Sequence, residues 1–153
     1  MSLFTCLLIM LGGAIGTLMR YLISVLTTSV PHELPWSTIA INITGSFFIG
    51  FFGTLTLSSG RFPVSENTRL FVMVGVCGGF TTFSSFSLET FELLRNGYTV
   101  RAGINVLASV ILCICAVAFG HLAAAHFNGN AIEVSQISVE EEATLAPPNH
   151  RRS

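Results

Sequence analysis

Gly75-Val76-Cys77-Gly78-Gly79-Phe80-Thr81-Thr82-Phe83-Ser84-Ser85-Phe86-Ser87-Leu88-Glu89 is the stretch on which the reading of this chain turns. It lies inside an apolar run from Leu70 to about Leu94, and a membrane helix needs about 20 such residues. Adjacent glycines followed by five hydroxyl residues in seven are poor helix material. Glycine lowers helix stability, and Ser and Thr compete for backbone hydrogen bonds. The stretch therefore predicts a third membrane helix broken near its middle. In lipid such a break is tolerated only inside protein or beside a cavity, and carbonyls freed there commonly hold a cation. If helix resumes after the break, Thr82, Phe86 and Glu89 share a face at i, i+4, i+7, and Phe83 and Phe86 are neighbours at i, i+3. A kinked packing helix is the alternative, but it does not call for this density of hydroxyls and rings.

The rest of the 153-residue chain puts that stretch in a membrane. Hydrophobic residues make up 51% and charged residues 10%, against a usual charged share of about 25%. Mean hydropathy is +0.71. A chain this small has too little interior to hide that much apolar surface from water, whereas lipid accepts it. Residues 3–30, 36–57 and 102–127 form three further apolar stretches, so residues 1–127 read as a four-helix membrane domain with short connections through Pro31–Pro35, Gly60–Pro63 and Arg95-Asn96-Gly97. The first stretch lacks a basic leader and carries Arg20, so it does not read as a cleaved signal. Residues 128–153, with Glu140-Glu141-Glu142 and Pro147-Pro148, form a polar acidic tail that is expected to be disordered.

Charge is sparse and balanced. There is no Lys and no Asp; residues 1–127 carry five Arg and four Glu, and residues 128–153 carry two Arg and four Glu. No basic surface is present for nucleic acid. Orientation in the membrane follows Arg and Lys in short loops. With four spans, Arg61 and Arg69 fall on one face and Arg95 and Arg101 on the other. A two-against-two count gives the insertion machinery no strong instruction. The expectation is insertion both ways up, which permits an antiparallel, dual-topology homodimer. A single orientation set by other features is the alternative.

Helix faces narrow the chemistry further. Gly12, Gly16 and Arg20 recur at four-residue spacing on the first stretch; the glycines admit a close neighbour, and Arg20 faces either a wet vestibule or the interface by snorkelling. Thr38, Asn42, Ser46 and Gly50 make one small polar line on the second stretch, opposite Phe47, Phe48, Phe51 and Phe52. Asn42 is either a pore donor or a helix-to-helix hydrogen bond. Asn105, Ser109 and Cys113 form a weaker polar line on the fourth. The four cysteines (6, 77, 113, 115) sit in apolar runs without zinc spacing and read as small fillers. Neither a hydrolytic constellation nor a phosphate-binding loop is present, so an enzyme is not expected. Hydroxyl and amide donors with positively polarised ring edges suit a small anion.

These motifs resemble the CrcB/Fluc family of fluoride channels. The resemblance rests on Gly12-Gly13-x-x-Gly16-x-x-x-Arg20-Tyr21, on Thr38-x-x-x-Asn42-x-x-Gly45-Ser46-Phe47-x-x-Gly50, and above all on Gly75 to Glu89, and it covers about residues 3–127. It implies an antiparallel dimer of four-helix subunits in the cell membrane, with two fluoride pores. It also implies a structural Na+ at the dimer centre, on the main-chain carbonyls of Gly78 and Thr81. The pore-lining phenylalanines fall on Phe83 and Phe86, the pore asparagine on Asn42, and the hydroxyl track on Thr82, Ser85 and Ser109, with Glu89 nearby; Thr38 joins them from the face analysis. The vestibule arginine falls on Arg20. The chain departs from the pattern at Asn105, where the family often has Tyr, and at Cys113, where it often has a small or hydroxyl residue. The implied activity is passive, selective export of fluoride, which relieves its toxicity. Two rival readings are a small dual-topology proton-coupled multidrug exporter, for which Glu89 alone is placed to serve, and a non-transporting helical assembly subunit.

Overall fold

The protein is all-helical. The computed structural model describes residues 2–27, 34–57 and 62–145, with side chains described as far as 129. The breaks expected at Pro31–Glu33 and Gly60–Arg61 lie outside the described residues, as do residues 146–153. Helix α1 spans Leu3–Thr27 and α2 spans Trp36–Leu55. The third span runs in pieces: α3 is Glu66–Arg69, a π-helix follows over Leu70–Cys77, α4 is Gly78–Phe80, and α5 is Phe83–Arg95. Helix α6 begins at Thr99 and continues to Leu145.

Four segments among the described residues are long and apolar enough to cross a membrane: Leu3–Thr27, Trp36–Leu55, Glu66–Arg95 and Thr99–Gly129. At 1.5 Å per residue, α2 is about 30 Å long, the thickness of a hydrocarbon core. The expected spans shift at their ends. The third begins at Glu66 rather than Leu70, because Ser65 caps it by accepting from the Thr68 amide at 3.2 Å. The fourth begins at Thr99, since Asn96 and Gly97 need only two residues to turn. Gly97 has φ 81°, and the Gly97 and Tyr98 amides return to the Leu94 and Leu93 carbonyls, the glycine-terminated stop of a helix end. The backbone of α6 stays helical past Phe127, into the stretch expected to be disordered.

Lipid supplies no hydrophobic drive between helices, so close packing must hold them together. Two seams of glycine do this. A Cβ on Gly12 would stand 2.6 Å from the Phe71 carbonyl oxygen, and one on Gly79 would stand 2.5 Å from that of Gly13. A Cβ on Gly16 would fall on the Val76 carbonyl and lie 2.8 Å from the Phe80 nitrogen. Here α1 lies directly on the backbone of the π-helix and α4. The second seam joins α2 to α6, where a Cβ on Gly50 would fall on the Val117 carbonyl and one on Gly120 on that of Phe47. At the end of α2, Arg69 Nη1 donates to the Gly53 carbonyl at 3.1 Å, the Thr56 carbonyl at 2.9 Å and Thr56 Oγ1 at 2.8 Å. A cation there satisfies carbonyls that the helix end leaves unpaired. Outward faces are apolar: Leu3, Leu26 and Val100 are each 77% exposed, the surface that lipid or another membrane helix covers.

Candidate functional site

Between α4 and α5 the chain leaves helical geometry for two residues. Thr81 has φ −75° and ψ 156°, and Thr82 has φ −150° and ψ 111°. Both are extended, and their backbone groups need partners inside the bundle. Asn42 supplies them from α2. Its Oδ1 accepts from the Thr82 amide at 2.8 Å, and its Nδ2 donates to the Thr82 carbonyl at 3.1 Å. The side-chain amide thus pairs with one extended residue as a neighbouring strand would. This pairing also sets which end of the Asn42 amide is oxygen.

Thr82 then starts α5. Its Oγ1 accepts from the Ser85 amide at 3.1 Å and donates to Ser85 Oγ at 3.1 Å, with Ser84 Oγ also at 3.1 Å. It is an N-cap that carries a local hydroxyl cluster. Thr81 folds back, its amide and its Oγ1 both donating to the Cys77 carbonyl, at 3.0 Å and 2.9 Å.

These bonds have a consequence for two carbonyls. In an unbroken helix the Thr82 amide would serve the Gly78 carbonyl and the Ser85 amide would serve that of Thr81. Here the first goes to Asn42 Oδ1 and the second to Thr82 Oγ1. The break therefore releases the Gly78 and Thr81 carbonyl oxygens from their helical partners. Gly78 is also exposed on the single chain and borders the cavity beside the break.

A cavity of about 320 Å³ opens beside the break. Asn42, Gly78, Thr81, Thr82, Phe83, Phe86 and Ser109 all line it, so seven of the residues singled out from the sequence meet in one place. Phe83 and Phe86 lie with ring centroids 5.3 Å apart and planes inclined by 46°. Phe86 is buried, whereas Phe83 is 78% exposed on the single chain. Ser46, which the sequence placed on a polar line without a role, lines the cavity too, as do Cys77 and Cys113, which it read as small fillers. No carboxylate lines it among the described residues.

Four of the singled-out residues lie apart from the lining. Arg20 is half-buried against the other side of the break, its Nε donating to the Gly79 carbonyl at 3.3 Å, with Thr17 Oγ1 on the same oxygen at 3.4 Å. Thr38 is buried and donates to Glu89 Oε1 at 2.7 Å, tying α2 to α5. Glu89 Oε2 is buried without a partner among the described residues. Ser85 is held by Thr82. Asn105 is fully buried and its Nδ2 donates to Thr90 Oγ1 at 2.8 Å. The sequence reading passed over Thr90; its place four residues after Phe86 was the available signal, since its hydroxyl donates to the Phe86 carbonyl at 2.7 Å.

Residues 7–121 match the family model described as CrcB-like protein, Camphor Resistance (CrcB). The chain is 64% identical over 142 residues to the fluoride-specific ion channel FluC of Methylobacterium radiotolerans, covering 93% of this chain and 99% of that one. It is 61% identical over 144 residues to the protein of the same name from Gluconobacter oxydans, covering 94% and 100%. It is 53% identical over 129 residues to that of Opitutus terrae, covering 84% and 96%. With four helices able to cross a bilayer, the chain is a multi-pass membrane protein.

Proposed function

The chain belongs to the CrcB family, and from that membership and the cavity at the helix break we propose that it is a fluoride-specific ion channel, passively exporting fluoride and so lowering its concentration in the cell. A channel of this kind is not an enzyme. The observation that carries the reading is the lining of the cavity: amide and hydroxyl residues, two phenylalanines whose rings lie 5.3 Å apart, and no carboxylate among the described residues. A small anion sheds a tight water shell only where donors replace it. Hydroxyls donate, and ring edges carry partial positive charge. The membrane potential does the driving, at about 2.3 kcal/mol per charge per 100 mV.

The residues divide the work. Thr82 and Ser109 line the path with Phe83 and Phe86, and Ser85, just behind the lining, takes the Thr82 proton and has its own left to give. Asn42 holds the broken backbone open through both ends of its amide, and its second Nδ2 proton is available to the ion. Arg20, on the far side of the break, gives an entering anion a positive vestibule. Thr38 and Glu89 brace α2 against α5 at the margin of the path.

The functional unit in this reading is an antiparallel, dual-topology homodimer. Its supports are the balanced arginines and the 78% exposure of Phe83, a ring that a partner would cover. A structural Na+ belongs at the centre of that dimer. The two carbonyls that the resemblance assigns to it, those of Gly78 and Thr81, are the two that the break releases from helical bonding, and unwound carbonyls suit Na+. When bound, the ion supplies a fixed positive charge that ties the two breaks together.

The test is fluoride efflux from liposomes holding the purified protein, followed with a fluoride electrode and repeated with chloride. Fast fluoride efflux without chloride efflux is expected; folded protein that releases neither in Na+ overturns the reading. The exporter alternative has one observation in its favour, the partly buried Glu89 with an unpartnered Oε2. It predicts that Glu89→Gln abolishes proton-coupled transport of cationic drugs, whereas the channel reading predicts no such transport in either protein.

A further inference from the structure

Beyond the residues assigned above, the wall that α6 presents to α5 carries two polar atoms with no partner among the described residues, Asn105 Oδ1 and Ser109 Oγ. Both residues are more than nine-tenths buried, Asn105 at 0% and Ser109 at 6% exposure. The direction of the Asn105 amide follows from counting protons. Thr90 Oγ1 has one proton and donates it to the Phe86 carbonyl at 2.7 Å. It can therefore only accept from Asn105, at 2.8 Å, so the Asn105 nitrogen faces Thr90 and the oxygen is left over. Ser109 stands one turn further along α6, where side chains four residues apart have Cβ atoms about 5–6 Å from one another. The two therefore lie on the same face of α6, within reach of a common neighbour. Ser109 borders the cavity and Asn105 lies one turn behind that wall, and buried waters bind where otherwise unsatisfied polar groups converge.

We propose that Asn105 Oδ1 and Ser109 Oγ hold one buried water between them, and that this water makes Asn105 a positioning residue for fluoride; the proposal rests on the channel reading above. The water donates one proton to Asn105 Oδ1 and the other to a lone pair of Ser109 Oγ. The Ser109 proton is then free to point into the cavity at the anion. Without Asn105 Oδ1 to take the first proton, the water has no reason to donate toward Ser109, and the hydroxyl is free to turn its lone pairs to the ion. The Phe86 carbonyl accepts from Thr90, Thr90 from Asn105, and Asn105 from the water; at the water the sense divides, its second proton going to Ser109. An acceptor on the wall of an anion path thereby ends as a donor.

A double-mutant cycle tests this, alongside an experimental structure of the wild-type protein at a resolution that shows ordered water. Asn105→Leu and Ser109→Ala are each expected to cut fluoride efflux about tenfold, the order of one hydrogen bond to a charged group. If Asn105 acts through Ser109, Asn105→Leu causes no further loss in the Ser109→Ala background. A merely structural role for Asn105 would multiply the two losses instead. Density for a water within hydrogen-bond distance of both atoms is expected in the wild type. A conducting wild type without that water, or with independent losses in the cycle, overturns the proposal. If the Leu variant fails to fold, the water in the wild type decides. A folded wild type that passes no fluoride overturns the channel reading, and the role of the water with it, even where the water is in place.

Discussion

Replacing Asn42 tests how the break is held open. Asn42→Leu is close in volume but makes neither bond to Thr82: the amide loses its 2.8 Å partner, and the carbonyl loses its 3.1 Å bond to Asn42 but, as that of the N-cap, keeps the first intrahelical bond of α5. Each buried backbone group left unsatisfied costs about 1–3 kcal/mol. The Thr82 amide has one repair open to it, a return to the Gly78 carbonyl as in an ordinary helix. Without that repair the unpaired amide costs the open break about 1–3 kcal/mol, a shift of about 5- to 150-fold toward the closed, helical form. The repair also occupies one of the carbonyls proposed for Na+. Asn42→Leu is therefore expected to lose most fluoride efflux and also to lose its dependence on Na+, assayed in liposomes prepared with Na+ or with K+ alone. Asn42→Asp differs instructively: a carboxylate still accepts from the Thr82 amide but has no proton for its carbonyl, and it sets a negative charge beside the anion. Efflux is expected to vanish in this variant while the break persists. Wild-type efflux in both variants, with Na+ dependence unchanged, would refute the clamp.

Three further outcomes are expected. Phe83→Ile and Phe86→Ile should both cut flux strongly, but only the buried Phe86 should also lower the thermal stability of the subunit; wild-type flux in both would remove the ring-edge argument. Gly16→Ala places a Cβ on the Val76 carbonyl and should cost about 1–3 kcal/mol of overpacking, whereas Gly13→Ala, with nothing within 4 Å of its added carbon, should be tolerated; thermal melts of the pair in detergent decide, and equal stability would sink the seam. A C-terminal tag should be reached from both sides of the membrane in intact cells, and one-sided labelling would end the dual-topology reading.

Much of the site was legible because it depends on residue types at helical spacing. Gly12 and Gly16 announce a close approach, and they meet Phe71 and Val76. The glycine pair and hydroxyl run at 78–87 mark the place where helical geometry fails. The partner of a side chain is another matter. Asn42 read equally as a pore donor or as a helix-to-helix hydrogen bond, and its actual partner is the backbone of Thr82, 40 residues away. Thr90 went unnoticed because a threonine on a membrane helix usually bonds only its own helix; its second bond, to Asn105, exists only once α5 and α6 pack.

The sequence by itself determined that this is a membrane protein of four spans with a weak point in the third, because hydropathy, length and glycine content are properties of a chain before it folds. The π-helical winding of Leu70–Cys77 left no such mark, since its residues are as apolar as those of any α-helical span. Only the tertiary structure decided which carbonyls the break would release. That outcome depends on where the Thr82 and Ser85 amides find acceptors. One of those acceptors is on another helix, and its position is set by packing.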